Sequence, residues 1–200
     1  IYYLKELNNM CSQRLKNKKN DFGWIEIICG SMFSGKTEEL IRRAKRVKLA
    51  KQKIKIFKPK EDVRFKKKKI VSHNENFLKS KIIERPSEIL KFSQNAQVVA
   101  IDEAQFFSNE IIEVCNKLAN DGKRVIVAGL DMDYKGKPFG PMPNLMAIAE
   151  YVTKLHAICT KTGKMANYTN RKVDDKNLIM VGDKDKYEAL SREAFNKTKK

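Results

Sequence analysis

The chain predicts an α/β fold: a mostly parallel β-sheet covered by helices, followed by a small C-terminal lobe. Three observations carry that expectation. From Trp24 onward, short apolar runs alternate with segments of helical periodicity, the order that builds a parallel sheet through helical crossovers. Gly30-Ser31-Met32-Phe33-Ser34-Gly35-Lys36-Thr37 joins the first such run to the first helical pattern, the place that G-x-x-x-x-G-K-[ST] takes in phosphate-binding folds. Past Tyr151 the pattern gives way to a polar stretch over residues 160–177, which places a boundary near residue 150. The expected organisation is a basic N-terminal tail (1–22), a main domain (23–150) and a small lobe (151–200).

The elements follow in order. Trp24 to Cys29 reads as a buried strand. Glu38 to Ala50 reads as a helix whose apolar positions are Leu40, Ile41, Ala44, Val47 and Leu49, with basic residues on the remaining face. Ile54 to Phe57 is a short strand ended at Pro59, Leu78 to Glu84 another, and Pro86-Ser87-Glu88 opens a short helix. Gln97 to Ile101 is a buried strand, Ser108 to Asn120 an amphipathic helix ending near Gly122, and Arg124 to Ala128 the next strand. In the lobe, Tyr151 to Cys159 and Leu178 to Val181 read as strands and Asp185 to Asn196 as a closing helix. No internal repeat is present.

Composition narrows the class. The 200 residues include 42 Lys and Arg against 24 Asp and Glu, a net charge of +18, which excludes an acidic protein. Lys supplies most of that charge. No apolar run approaches the roughly 18 residues of a membrane span, and the first residues hold no continuous apolar signal region. A soluble, cytoplasmic chain without a membrane partner is expected. Cys11, Cys29, Cys115 and Cys159 form no C-x-x-C pair, so a disulfide framework is not expected.

The glycine-rich segment points to chemistry. Its glycines let backbone N–H groups curl round an anion, and the following helix adds the partial positive charge of its N-terminus. Lys36 would hold the β- and γ-phosphates and the Thr37 hydroxyl a Mg²⁺ ion. Such a site needs a carboxylate at the end of a neighbouring strand, and Val98-Val99-Ala100-Ile101 ends in Asp102-Glu103-Ala104-Gln105. Asp102 suits the magnesium side. Glu103 stands one residue on, where it can accept the proton of an attacking hydroxyl. The expected nucleotide-binding set is therefore Gly30, Ser31, Met32, Phe33, Ser34, Gly35, Lys36 and Thr37 with Asp102 and Gln105, and Thr37 and Asp102 are the expected metal-side residues.

Two functions compete for this set. Residues 36–69 carry 16 Lys and Arg against four Asp and Glu, which invites a nucleic-acid-stimulated P-loop ATPase with steep salt dependence. Yet about 50 residues after Tyr151 are too few for a second ATPase domain, and no aromatic stripe for stacking single strands is present. Aromatic residues cluster instead near the acids: Phe106 and Phe107 follow them, and Tyr134 and Phe139 flank a Gly- and Pro-containing loop. That composition suits a pocket for a flat ring.

Taken in order and spacing, these segments resemble the thymidine kinases of cellular, bacterial and poxviral type. The resemblance rests on Met32 to Thr37, Asp102 to Phe107, Gly129-Leu130-Asp131, Lys137 to Gly140, Ala157-Ile158-Cys159, Tyr168-Thr169-x-Arg171 and Asp185-Lys186-Tyr187. It covers roughly residues 23–195. It implies a RecA-like P-loop domain and a small lobe whose lasso loop closes over the nucleoside. It also implies transfer of the γ-phosphoryl group of ATP, with Mg²⁺, to the 5′-hydroxyl of thymidine or deoxyuridine. Carried onto this sequence, Glu103 is the base, and Arg64 of Asp62-Val63-Arg64 stabilises charge on the transferring group. Met32, Phe106, Leu130, Tyr134, Phe139, Thr169 and Tyr187 match pocket positions, and Leu178, Ile179 and Met180 match the lasso main chain that grips the thymine edge. A homotetramer and feedback inhibition by thymidine triphosphate are implied as well; no nucleic-acid partner is expected.

Two departures stand out. Family members often hold the lobe with a structural zinc, but here Cys159 is accompanied by Thr162, Ser191 and Ala194. One thiolate does not make a tetrahedral zinc site, so no zinc is expected; packing around Ile158, Tyr168, Ile179, Leu190 and Phe195 is expected to hold the lobe, with His73 and His156 outside any metal site. The second is the Lys66–Lys69 run beside Arg64, read as a solvated loop.

Overall fold

The computed structural model describes residues 22–60, 69–71, 77–173 and 185–198. In chain order the main domain contains β1 (Trp24–Gly30), α1 (Lys36–Leu49), β2 (Ile54–Pro59), β3 (Lys69–Val71), β4 (Phe77–Lys79), β5 (Lys81–Ile83), α2 (Glu88–Phe92), β6 (Val98–Ile101), α3 (Glu110–Asn120), β7 (Arg124–Gly129), α4 (Met142–Ile148) and β8 (Tyr151–Leu155). Six of these strands form one sheet in the order β5-β2-β6-β7-β1-β8, and every pair within it is parallel. Strands β3 and β4 pair with each other, antiparallel.

Residue parity decides which face of the sheet each strand residue covers. Ile25, Ile27 and Cys29 of β1 join Phe57, Val99, Ile101, Val125 and Val127 against α2, α3 and α4. Ile28 joins Ile56, Ala100, Ile126 and Ala128 against Leu40, Ile41, Ala44 and Val47 of α1. Both faces are covered, so the strands read as continuous apolar runs in the sequence. Helix α1 places Glu38 and Glu39 in its first turn and Arg46 and Lys48 in its last, matching its dipole at both ends. Its outer face carries Arg42, Lys45, Arg46 and Lys48 into solvent. Leu49, expected in the apolar stripe, is instead 83% exposed at the helix end.

All the strand C-termini lie at one edge of the sheet, and β7 separates β1 from β6. This is the RecA-like arrangement of a P-loop strand and an acidic strand with one strand between them. Ligands of open α/β sheets bind outside the carboxyl ends of such strands. The sheet therefore delivers Gly30, Asp102 and Leu130 to a common rim.

The lobe contains β9 (Ala157–Ile158), β10 (Met165–Ala166), β11 (Tyr168–Arg171), β12 (Tyr187–Leu190) and α5 (Arg192–Lys197). Three expectations change here and in the main domain. The strand expected over Leu78 to Glu84 is broken at Ser80 into β4 and β5, because β4 pairs with β3 whereas β5 joins the main sheet beside β2. The strand expected over Tyr151 to Cys159 is broken at His156, because β8 pairs with β1 and β9 with β10. Residues 185–196 are not one helix: Tyr187 to Leu190 pair with β11, and α5 starts only after Ser191. Helix α4, opened by Pro141, was not anticipated. The strand expected over Leu178 to Val181 lies outside the described residues.

The lobe core is Ala157, Cys159, Ala166, Tyr168, Ala189, Leu190, Ala194 and Phe195, with Phe33 and Met132 of the main domain packed against it. Tyr168 and Phe195 stack with centroids 4.5 Å apart. Ile158, expected in that core, is 69% exposed because the two-residue strand turns it outward; Ile179 lies outside the described residues. Among the described residues no helix is long and apolar enough to cross a membrane.

Candidate active site

The loop between β1 and α1 takes its shape from its own residues. Gly30 has φ 142°, and a Cβ there would stand 2.2 Å from the Leu155 carbonyl oxygen of β8, so no larger residue fits. Phe33 and Gly35 both have positive φ, at 63° and 83°, and this winding turns successive N–H groups inward. Ser34 Oγ donates to the Ser31 carbonyl at 2.8 Å, and the Lys36 ammonium donates to the same oxygen at 2.7 Å. The lysine thus lies across the mouth of the loop at the N-terminus of α1, a place suited to phosphate.

Asp102 closes the site from β6. It is 5% exposed, accepts from Thr37 Oγ1 at 3.4 Å through Oδ2 and from the Glu103 backbone N–H at 3.0 Å through Oδ1. Thr37 and Asp102 are 65 residues apart in the chain, yet sheet and helix bring them together. A hydroxyl and a carboxylate are hard oxygen donors that fit Mg²⁺, an ion that takes one or two protein ligands and completes its shell with phosphate and water. Among the described residues no group of three or more His, Cys, Asp or Glu is placed to hold a metal unaided.

Glu103 adopts φ 53°, ψ 41°, a left-handed conformation uncommon for a residue with a side chain and worth about 1–3 kcal/mol of strain. The next three residues form a 3₁₀ turn, Ala104–Phe106. Gln105 is buried in it, and its side chain meets Glu103 and the backbone of Leu130.

Several of the expected nucleoside residues meet in pairs. Phe106 and Phe139 meet edge to face with centroids 5.8 Å apart, a favoured aromatic geometry. The Met32 backbone N–H donates to Thr169 Oγ1 at 3.0 Å, tying the phosphate loop to β11. Tyr134 carries the Arg171 guanidinium over its ring at 3.7 Å, and Arg171 donates to the Tyr187 hydroxyl at 3.1 Å. Arg171 was noted in the sequence only as part of a motif. Its strand position, two residues beyond Thr169 and paired with Tyr187, is the signal that puts it on the same face. Lys154 reaches the buried Asp131 at 2.7 Å, joining the end of β8 to the loop after β7. That hydrogen bond raises the Lys154 pKa. Burial, with Asp131 adding to it, pushes the neighbouring Cys29 thiol up to about 11. Arg64 and the lasso residues Leu178, Ile179 and Met180 lie outside the described residues, as do Lys66 to Lys68 and His73.

With this geometry in place, comparison with known proteins is decisive. The family model for thymidine kinase matches residues 23–195. The chain belongs to the thymidine kinase family. A thymidine kinase of Rhodothermus sp. (strain ITI 518) is 54% identical over 173 residues, covering 86% of this chain and 81% of that one. One from Bacteroides fragilis (strain YCH46) is 54% identical over 175 residues, covering 88% of each chain. One from Bacteroides thetaiotaomicron is 53% identical over 173 residues, covering 86% of this chain and 87% of that one. Among solved structures, domain III of the Thermotoga maritima replication initiation protein DnaA gives a TM-score of 0.45 at 18% identity, covering 77% of this chain and 60% of that one.

At the lobe positions that the resemblance assigns to zinc in this thymidine kinase family, Cys159 alone carries a side chain suited to zinc, and Thr162, Ser191 and Ala194 take the other three. Thr162 Oγ1 and Ser191 Oγ lie 3.4 Å apart, and Ser191 Oγ caps α5 by accepting from the Ala194 N–H at 3.3 Å. Burial pushes the Cys159 thiol up, but hydrogen bonds from the Thr162 hydroxyl, the Ser191 and Lys161 backbone and the Ser191 hydroxyl outweigh it and bring the thiol down to about 6. Hydrogen bonds occupy the place where four ligands would be needed. His156 is exposed, and its Nδ1 meets Asn167 Oδ1.

Proposed function

We propose that the protein transfers the γ-phosphoryl group of ATP to the 5′-hydroxyl of thymidine or deoxyuridine, giving the 5′-monophosphate. The observation that carries this reading is the Thr37–Asp102 hydrogen bond at the phosphate loop, with the Glu103 N–H donating to that same Asp102 and Phe106, three residues on, meeting Phe139. A carboxylate next to the metal-side aspartate in sequence suits a base for a hydroxyl that attacks a bound phosphate. The loop backbone, Lys36 and the α1 N-terminus hold the triphosphate. Thr37 and Asp102 would hold Mg²⁺, which supplies charge neutralisation on the phosphates when bound. Glu103 takes the proton of the 5′-hydroxyl, and positioning with electrostatic stabilisation does the rest, as phosphoryl transfer requires little covalent work from a protein. Arg64 is assigned to the charge on the transferring group, as the family resemblance implies.

The pyrimidine is read by exclusion as well as contact. As the family resemblance implies, Met32, Phe106, Leu130, Tyr134, Phe139, Thr169 and Tyr187 are assigned to the ring, and Leu178, Ile179 and Met180 to the N3–H and its flanking carbonyls. Cytosine lacks that N3–H and would leave buried partners unpaired. A homotetramer, inhibition by thymidine triphosphate and a cytoplasmic location complete the proposal. The family match over residues 23–195 and the relatives of about 54% identity favour this reading over a nucleic-acid-stimulated ATPase.

The test is product formation from ATP and Mg²⁺ with thymidine, deoxyuridine, deoxycytidine or deoxyguanosine, each with and without single-stranded DNA. Monophosphate from thymidine and deoxyuridine alone is expected. DNA-stimulated phosphate release without nucleoside product would overturn the proposal. Glu103→Gln is expected to retain ATP binding and lose about 10²–10⁴ in turnover; turnover within threefold of the parent would remove Glu103 as the base.

A further inference from the structure

Gln105 is 3% exposed, and its amide makes two hydrogen bonds that fix each other. The Leu130 backbone N–H donates to Oε1 at 3.0 Å, and Nε2 donates to Glu103 Oε2 at 2.5 Å. The first bond settles the orientation of the second: a backbone N–H can only donate, so the amide oxygen must face Leu130 and the NH₂ must face Glu103. The surroundings are cut to this side chain. A Cβ at Gly129 would stand 2.9 Å from Gln105 Oε1 and 2.6 Å from Met142 Sδ, and a Cβ at Gly140 would stand 2.4 Å from the Gln105 carbonyl oxygen. Two glycines, one at each end of the loop that carries Tyr134 and Phe139, leave room for one buried glutamine.

We infer that Gln105 is a positioning residue for Glu103, rather than the nucleotide contact its place in the motif suggests. The inference rests on the reading of Glu103 as the base. A carboxylate side chain rotates about several bonds, and Glu103 additionally starts from a left-handed backbone. Pinning one carboxylate oxygen through a charge-assisted hydrogen bond presents the other at a set place relative to the phosphate rim. Because the same amide is anchored on Leu130, the base is held in register with the nucleoside residues, not only with its own turn. Misplacement of a reacting group by about 1 Å costs on the order of 10² in rate, so the loss of this tie should appear in turnover.

The experiment compares Gln105→Met, which keeps the volume and removes both hydrogen bonds, with Gln105→Asn, which keeps the amide but is one methylene too short to span both partners. Each is measured for kcat, for KM of ATP and of thymidine, and for thermal stability, beside Glu103→Gln and the double variant Glu103→Gln/Gln105→Met. Expected is a fall in kcat of about 10- to 100-fold in both Gln105 variants, with both KM values within about threefold. The double variant should be no slower than Glu103→Gln, since an orienting group has nothing left to orient. A raised KM for ATP with kcat intact would return Gln105 to the nucleotide and overturn the inference. A lowered melting temperature with kcat unmoved in the folded enzyme would reduce it to a packing tie. If Glu103→Gln retains full turnover, the base reading itself fails; if Glu103→Gln is inactive and both Gln105 variants are fully active, only the role of Gln105 fails.

Discussion

Replacing Glu26 by Gln removes one negative charge from the N-terminal half of β1, where it is 7% exposed. Its carboxylate is held by Arg43 at 2.7 Å, by Arg124 at 2.7 and 3.1 Å, and by the Trp24 indole N–H at 2.7 Å. These partners come from α1, β7 and β1, so the group ties the helix to two strands. Breaking a buried pair by removing one member costs about 3–5 kcal/mol. Two facts lower that here: Arg43 keeps Glu39 at 2.8 Å, and the Arg124 side chain, 24% exposed, can reach water. About 2–3 kcal/mol is therefore expected at neutral pH, or about 5–10 °C in melting temperature for a chain of this size. Burial pushes the Glu26 pKa up, but the bonds from Arg124 and Trp24 and the charges of Arg124 and Arg43 prevail and leave it below the ordinary value. A carboxyl with a depressed folded pKa contributes its stability above the unfolded pKa and loses it as pH falls through the folded one. The gap between wild type and Glu26→Gln should accordingly be widest at neutral pH and shrink in acid. Urea melts followed by circular dichroism at several pH values measure both. A difference under about 0.5 kcal/mol at neutral pH, the size of an ordinary surface change, would refute the reasoning, as would a gap that stays constant down to the acid limit. Turnover should be unaffected, because Glu26 lies four residues before Gly30, about 13 Å along the strand.

Three further outcomes are expected. Arg171→Ala removes the cation from Tyr134 and the donor from Tyr187; with both tyrosines less firmly held, the KM for thymidine should rise severalfold with the KM for ATP unchanged, which steady-state kinetics in both substrates check. In a Cys11→Ser background, thiolate absorbance should rise between pH 5 and 7 from Cys159 alone among the described thiols, whose pKa is about 6 against about 11 for Cys29 and about 12 for Cys115. Thr162→Ala should move that titration upward by removing a hydrogen bond to the thiolate. Metal analysis of purified protein should find well under one zinc per chain, and a stoichiometric amount would contradict the hydrogen-bonded arrangement of Thr162 and Ser191.

The legibility of this protein divides by the range of the interactions concerned. The phosphate loop could be read because its anion-binding groups are its own backbone, and its glycines and lysine report that directly. Glu103 stands out in the sequence because it follows an apolar strand and an aspartate. The role of Gln105 could not be read: its second partner, Leu130, is 25 residues away, and nothing local distinguishes an amide aimed at a phosphate from one aimed at a neighbouring carboxylate. The helix expected over residues 185–196 failed for a similar reason. Tyr187 to Leu190 become a strand only because β11 offers them a partner, and pairing outweighs weak local propensity.

Chemistry carried by consecutive residues was thus legible in the chain itself: the α/β alternation, the phosphate loop and the acidic pair. Tertiary structure decided how those parts meet. Insertion of β7 between β1 and β6 sets Thr37 against Asp102, aims Gln105 at Glu103, and brings Arg171 between two tyrosines from different lobes. A hydrogen bond's strength depends on distances of a few tenths of an ångström, and over separations of 25, 65 or 98 residues only the packed sheet and its helices hold distances to that tolerance.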